Sequence, residues 1–313
     1  LFSMADLKYT PPEVLSVLGV VDTYIRWNNK KSRHTRKYTS YHPSEFGHCL
    51  RKAQYRRYVE MGLMDLEQKE MDSKLLRLFE KGHNMQSRWE RYFEAMGVLR
   101  GVWKCKNFSC GAEYGKDNKH GVFPPEKCSS CGCNRFYYNE VSVVNEELNF
   151  KGNADIILDF SNFVENKFNG VRQAFNIDNL PTSPIVVDMK TANHDQFKKL
   201  SSTGPHQSYV IQQNIYIDIL GCDYGLIIYE NKNNSEVTAF KIEKDKKMME
   251  TIGWQVQVLN EMAKGRHLPP PRPETKFDWD CKKCDFAPHC HKCAIWNDPK
   301  LKEKRKNFYK NLL

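Results

Sequence analysis

The chain has 313 residues, enough for one large or two modest domains with a sizeable core, and its 40% hydrophobic and 27% charged content is ordinary for a soluble globular protein. A net charge of +10 points to a polyanionic partner, and nucleic acid leads over a membrane surface because no basic amphipathic helix stands out. No apolar run approaches the ~20 residues of a membrane span and no signal peptide opens the chain, so a cytoplasmic protein of a bacterial, archaeal or phage-infected cell is expected. Leu1-Phe2-Ser3 before Met4 reads as a tag remnant. Of the eleven cysteines, nine fall in two groups at 105–133 and 281–293, which without a secretory signal read as metal ligands in a reducing compartment.

The first predicted helix runs from Pro11 to about Asn28 and is followed by the basic run Lys30, Lys31, Arg33, Arg36 and Lys37. Trp27, Tyr38 and Tyr41 interleave with it, so a strand-binding surface is a reading beside that of a solvated loop. A second helix is expected from Ser44, with Glu45 in its first turn, carrying Cys49, Arg51, Tyr55, Arg56, Arg57 and Tyr58. A long third helix, about Met71 to Met96, has an apolar stripe from Leu75 to Phe93, interrupted by His83 beside Gly82.

Residues 101–137 break the helical pattern. Cys105 and Cys110, then Cys128 and Cys131, form two pairs, each beside a glycine that permits a tight knuckle, in the pattern of a zinc ribbon. Cys133 is a spare that could replace Cys131. Such a site reads as a folding staple before a DNA contact.

Tyr138–Val144 and Leu148–Phe160 are expected to form a hairpin that buries Asp155 within its second strand. A buried carboxylate is costly unless paired or bound to metal. After a polar loop at 161–183 comes the apolar strand Ile185-Val186-Val187-Asp188-Met189-Lys190-Thr191. Alternation puts Asp188 and Lys190 on one face at its end, an arrangement that suits a divalent cation with a water to activate. A helix from His206 to Leu220 follows, with Gln212 and Tyr216 on one face. Two strands, Tyr224–Tyr229 and Val237–Ile242, and an amphipathic helix at 244–264 ending at Gly265 complete this part. The tail carries Cys281, Cys284, Cys290 and Cys293 and then a basic run from Lys300 to Lys310.

The order helix, strand, strand, strand, helix, strand, with Asp155 and the Asp188-x-Lys190 motif on successive strands, resembles the PD-(D/E)XK nuclease superfamily. His83 on the preceding helix, Gly152-x-x-Asp155 and Gln212-x-x-x-Tyr216 make the chain similar to its RecB-like exonuclease branch. Cys49 upstream, with Cys281, Cys284 and Cys290 downstream, is similar to the iron–sulfur members of that branch, which include the AddB nuclease domain and the CRISPR-associated RecB-like exonuclease. The chain departs from the pattern in the 101–137 insert, in Ala154-Asp155 where the superfamily has Pro-Asp, and in Cys293, which could exchange with Cys290.

The resemblance implies an α/β fold: a restriction-endonuclease-like core with a mixed central sheet flanked by helices. Its expected parts are an N-terminal helical region at 4–70, core at 71–100 and 138–264, the zinc-ribbon-like insert, and an iron–sulfur region with a basic tail at 265–313. It implies a DNA exonuclease acting on single strands or duplex ends, with Mg²⁺ or Mn²⁺ held by His83, Asp155, Asp188 and the Met189 carbonyl. Lys190 is expected to orient the attacking water or neutralise charge, Gln212 and Tyr216 to hold the backbone, and Lys30, Lys31, Arg51 and Arg56 to bind DNA. Cys49, Cys281, Cys284 and Cys290 are expected to hold a 4Fe–4S cluster, and Cys105, Cys110, Cys128 and Cys131 a Zn²⁺. No helicase P-loop is present, so a nuclease module without its own motor is expected; besides DNA, the partner readings left open are a helicase, a recombinase and a CRISPR integrase. The rival readings are a non-catalytic nucleic-acid-binding scaffold, a zinc-only protein and a structure-specific endonuclease.

Overall fold

The structure, a computed structural model, describes residues 12–32, 40–65, 71–163, 179–272, 277–282, 284–293 and 296–310. Arg33, Arg36, Lys37 and Tyr38 of the basic run and most of the 161–183 loop lie outside the described residues. The chain divides into two units, Leu1–Lys37 with Glu67–Ser87, and Tyr38–Leu66 with Arg88–Leu313. No described helix is long and apolar enough to cross a membrane.

The first unit holds helix α1 (Pro12–Ser32) and the first part of α3 (Ser73–Ala95), with Arg77 and Asp22 ion-paired between them. α1 continues through Lys30 and Lys31, which the sequence reading placed in a loop beyond the helix. His83 is exposed.

The second unit is mixed α/β. Helix α2 is Leu50–Glu60; the strands that follow α3 are β1 (Leu99–Arg100), β2 (Val102–Cys105), β3 (Glu113–Tyr114), β4 (Phe136–Asn139), β5 (Val141–Asn145), β6 (Phe150–Ala154) and β7 (Ile156–Leu158). Then come β8 (Ile185–Ala192), helices α4 (His194–Thr203) and α5 (Gln207–Leu220), β9 (Tyr224–Asn231), β10 (Val237–Glu243), α6 (Lys246–Lys264) and α7 (Pro299–Lys310). The main sheet has the order β1-β7-β8-β9-β10. Only β8 and β9 pair in parallel; the other neighbours are antiparallel, so the sheet is mixed. A parallel pair needs a crossover connection, and α4 with α5 supplies it.

α5 packs between two apolar layers. Ile217 and Leu220 join Val186 and Ile227 of the sheet, while Ile215 joins Phe46, Leu50 and Phe150 beside α6. The fully buried Gln213 fastens it to the sheet, its amide nitrogen donating to the carbonyls of Val186 (2.8 Å) and Leu226 (3.2 Å). The lack of a side chain at Gly225 is what admits it, since a Cβ there would lie 2.3 Å from that nitrogen.

Two sequence expectations need correction. The helix expected from Ser44 begins at Leu50, after a single 3-10 turn at Pro43–Glu45. Glu45 turns back to accept from the His42 amide, and Gly47 runs so close to α5 that a Cβ would meet Ser208 Cα at 2.3 Å. The expected hairpin at 138–160 is four strands in three sheets, because β4 pairs with β2, β5 with β6, and β7 with β8. The basic run after Lys300 is the helix α7, capped by Asp298, whose carboxylate accepts from the Lys300 amide at 2.8 Å.

Candidate active site and metal centres

β8 begins with β-branched Ile185, Val186 and Val187, all buried, and ends among polar residues. It pairs with β7 as Leu158 to Ile185, Ile157 to Val186 and Ile156 to Val187. One step further along that register, Asp155 stands opposite Asp188. Asp155 lies not inside a strand, as the sequence suggested, but at the single bend between β6 and β7, where the chain passes from one sheet to another. Its backbone carbonyl accepts from the Tyr138 hydroxyl at 2.7 Å, which fixes the bend.

Asp188 is 2% exposed, and both its carboxylate oxygens are buried without a hydrogen-bond partner. Lys190 Nζ stands 2.8 Å from one of them as an ion pair, off the direction of a hydrogen bond. The same ammonium lies over the ring of Tyr209, 4.5 Å from its centroid. Burial opposes the charge on Lys190, yet Asp188 and Asp155 outweigh it and its pKa is raised. Burial pushes the carboxyl of Asp155 well up, and the charges of Asp188 and Glu140 push it further. Two facing carboxylates with one ammonium leave a buried site short of positive charge.

Tyr216 is buried, and burial with the charges of Asp155 and Asp188 raises its hydroxyl pKa. That hydroxyl hangs over Gly152, where a Cβ would come within 3.1 Å of it. The glycine three residues before Asp155 thus leaves room for the tyrosine. Gln212 shares the helix face with Tyr216 and lowers its hydroxyl pKa against the larger effect of burial. Tyr209 was missed in the sequence, although its spacing of three to Gln212 and seven to Tyr216 puts it on that face. Met189 is buried, and alternation points its side chain away from Asp188.

The buried Asp188 carboxylate, ion-paired with Lys190 and faced by Asp155, fits a hard divalent cation, which takes oxygen ligands. No protein-family model matches the chain, and no curated protein is similar to it. Among solved structures, that of SSO0001 is 14% identical over 90% of this chain and 98% of its own, with a TM-score of 0.45. An alkaline exonuclease (LHK-Exo) from Laribacter hongkongensis is 10% identical over 74% of this chain and 90% of its own, with a TM-score of 0.37. The same exonuclease in complex with dAMP is 9% identical at the same coverage and TM-score.

The two cysteine groups differ in geometry. The sulfurs of Cys105, Cys110, Cys128 and Cys131 all lie within 4.8 Å of one another, so this group could hold a metal ion. The Cys105–Cys131 and Cys110–Cys128 distances of 3.6 and 3.5 Å approach the spacing of about 3.8 Å expected for tetrahedral thiolates on zinc. Gly111 (φ +65°) and Gly132 (φ +72°) turn the two knuckles, and the Asn107 amide donates to Cys105 Sγ at 3.4 Å. The Tyr114 hydroxyl, 3.2 Å from Cys128 Sγ, leads the effects that lower that thiol's pKa to about 6. Cys133 is outside the group; its thiol lies 3.5 Å from the Arg135 carbonyl.

Cys49, at the start of α2, and Cys281, Cys284 and Cys290 line a single pocket. Burial, followed by Cys49, Cys290 and Cys284, pushes the Cys281 thiol up to about 12. Cys293 is half-buried in the same cluster. Among the described residues only the ribbon cysteines meet the closeness a single ion requires. Arg51 does not present a DNA-binding surface: it is buried beside this pocket, donating to the Pro269 carbonyl (2.7 Å) and the Tyr55 hydroxyl (3.3 Å). Arg56 is ion-paired with the buried Glu45 at 3.0 Å.

Proposed function

We propose that the protein is a metal-dependent DNA exonuclease of the RecB-like, iron–sulfur branch of the PD-(D/E)XK superfamily. The observation that carries this reading is the register of β7 on β8, which sets Asp155 opposite a buried Asp188 whose carboxylate is ion-paired with Lys190 at 2.8 Å. Asp155 and Asp188 would hold Mg²⁺ or Mn²⁺. When bound, such a cation polarises the scissile phosphate and lowers the pKa of a coordinated water. Lys190, kept charged by Asp188 and steadied by Tyr209, orients the attacking water and offsets charge developing on the phosphate. Gln212 and Tyr216 position the DNA backbone on the face of α5.

In this reading Cys49, Cys281, Cys284 and Cys290 hold a 4Fe–4S cluster. Cysteine tetrads suit such clusters, and these four thiols line one pocket without the mutual closeness of the ribbon cysteines that suits a single ion. The ribbon cysteines hold Zn²⁺. The expected substrate is single-stranded DNA or duplex ends, in recombination, repair or phage or CRISPR DNA processing, with a helicase, recombinase or integrase as partner.

The test is degradation of end-labelled single-stranded and duplex DNA by anaerobically purified protein with Mg²⁺ or Mn²⁺. Stepwise loss from one end is expected. Asp188→Ala and Lys190→Ala should each lower kcat/KM by about 100-fold or more. Undiminished degradation by Asp188→Ala sinks the reading.

A further inference from the structure

The staple reading of the ribbon leaves one of its faces unexplained. In the three-stranded sheet β3-β2-β4, Trp103 pairs with Tyr138 and Tyr114 and is fully buried, so that face is spent on packing. Lys104, next along β2, pairs with Tyr137 and Glu113, and these three share the opposite, outer face. Tyr137 is 49% exposed there, with Lys106 Nζ over its ring at 4.9 Å. Phe108, in the knuckle between Cys105 and Cys110, is 99% exposed and has no packing role. Lysine and arginine outnumber acids six to three between Gly101 and Tyr137, and Glu113 on this face is already shared by Lys104 (3.9 Å) and Lys116 (3.5 Å).

We infer that the outer face of the ribbon is a stacking platform for single-stranded nucleic acid, with Tyr137 and Phe108 taking bases and Lys104, Lys106 and Arg135 taking phosphates. Every base has a π-face, so exposed aromatics set among cations bind single strands without sequence preference. A duplex, whose bases are already stacked, cannot use such a platform.

The platform is held rigidly. The His120 ring donates to the Leu220 carbonyl at 2.6 Å, Arg100 donates to the Gly121 carbonyl at 2.8 Å, and Trp103 donates to the Val122 carbonyl at 2.8 Å. The first of these ties the ribbon to the end of α5, the helix that carries Gln212 and Tyr216. The inference rests on the nuclease reading only for the choice of DNA as the strand.

The test is fluorescence anisotropy of labelled oligothymidylate, with no added divalent cation, on the full chain. Tyr137→Ala and Phe108→Ala should each raise Kd by about five-fold or more, while Tyr137→Trp stays within about two-fold. Lys106→Gln should reduce the slope of log K against log salt by about one. Tyr137 and Phe108 are exposed and Lys106 is only half-buried, so metal content and thermal stability should stay at wild-type values. Alanine variants that bind as tightly as wild type overturn the platform even if the protein degrades DNA. Loss of binding in the variants of a protein that degrades no DNA leaves the platform standing and sinks the nuclease reading.

Discussion

The ribbon and the carboxylate site both gather ligand atoms, but from opposite kinds of sequence. The ribbon pairs Cys105 with Cys110 and Cys128 with Cys131 through short knuckles, each closed by a left-handed glycine. Its three strands have only 4, 2 and 4 residues, too few to stand as a sheet alone. At the carboxylate site Asp155 stands at the bend before β7 and Asp188 within β8, far apart in the chain, and only sheet register makes them meet. There the main sheet is built on β8 and β9, of 8 residues each, and the cost of lacking a cation should fall on charge. On the proposed reading the ion is part of the fold in one region, and in the other it answers an electrostatic deficit.

Metal loss from the ribbon should therefore have the largest effect. Cys128→Ser should abolish zinc binding and expose the amides of 101–137 to hydrogen exchange, since structural zinc contributes about 10–16 kcal/mol. The amides of β8 and β9 should keep their protection. Ribbon amides that stay protected after zinc loss would place its stability in packing and break the contrast. Next comes Gly152→Ala, where the added Cβ lies 3.1 Å from the Tyr216 hydroxyl and 3.1 Å from Pro43 Cδ. It should lower Tm by roughly 2–6 °C and kcat by about ten-fold, as Tyr216 shifts by a few tenths of an ångström. Calorimetry beside the degradation assay reads both, and unchanged kcat would detach Tyr216 from the site.

The same contrast explains what was legible in the sequence. The ribbon could be read because its ligands and glycines are neighbours in the chain. The β8 strand and α5 could be read because β-branched runs and helical spacing are local signals. The split of the 138–160 hairpin could not, because nothing local announces that the chain changes sheets at Asp155; that follows from which strand each half finds as partner. Arg51 looked like a DNA contact by composition, and its burial depends on the Pro269 carbonyl, far along the chain. α4 was missed despite its capping box, in which Asn193 accepts from the Gln196 amide and Gln196 from the Asn193 amide.

A smaller effect separates proton from cation at the carboxylate site. The folded protein keeps a proton on Asp155 that the unfolded chain releases near pH 3.8, so metal-free stability falls as pH rises above that value and levels only when the folded carboxyl also ionises. Asp155→Asn removes this loss. Its Tm advantage over wild type should be absent near pH 4 and reach roughly 2–4 °C towards neutrality. Mg²⁺ should raise the wild-type Tm but not the variant's, by selective binding to the folded state. A Tm difference that is flat with pH would mean that Asp155 ionises normally.

The smallest effect is expected at Cys133, and it sets the limit of reading ligands from sequence. Cys131 and Cys133 are two apart and flank Gly132, so spacing alone offers either as the fourth ligand. The backbone separates them: Gly132 takes φ +72°, its amide donates to the Cys128 carbonyl at 2.8 Å, and the Cys128 amide donates to the Cys133 carbonyl at 2.7 Å. This turn sends Cys131 towards Cys105 and leaves the Cys133 thiol against the Arg135 carbonyl. Cys133 thus serves the knuckle through its carbonyl, which a serine keeps. Cys133→Ser should retain one zinc per chain with Tm within about 1 °C of wild type, whereas Cys131→Ser should lose the zinc. Equal zinc loss in both variants would show the two thiols exchanging as ligands.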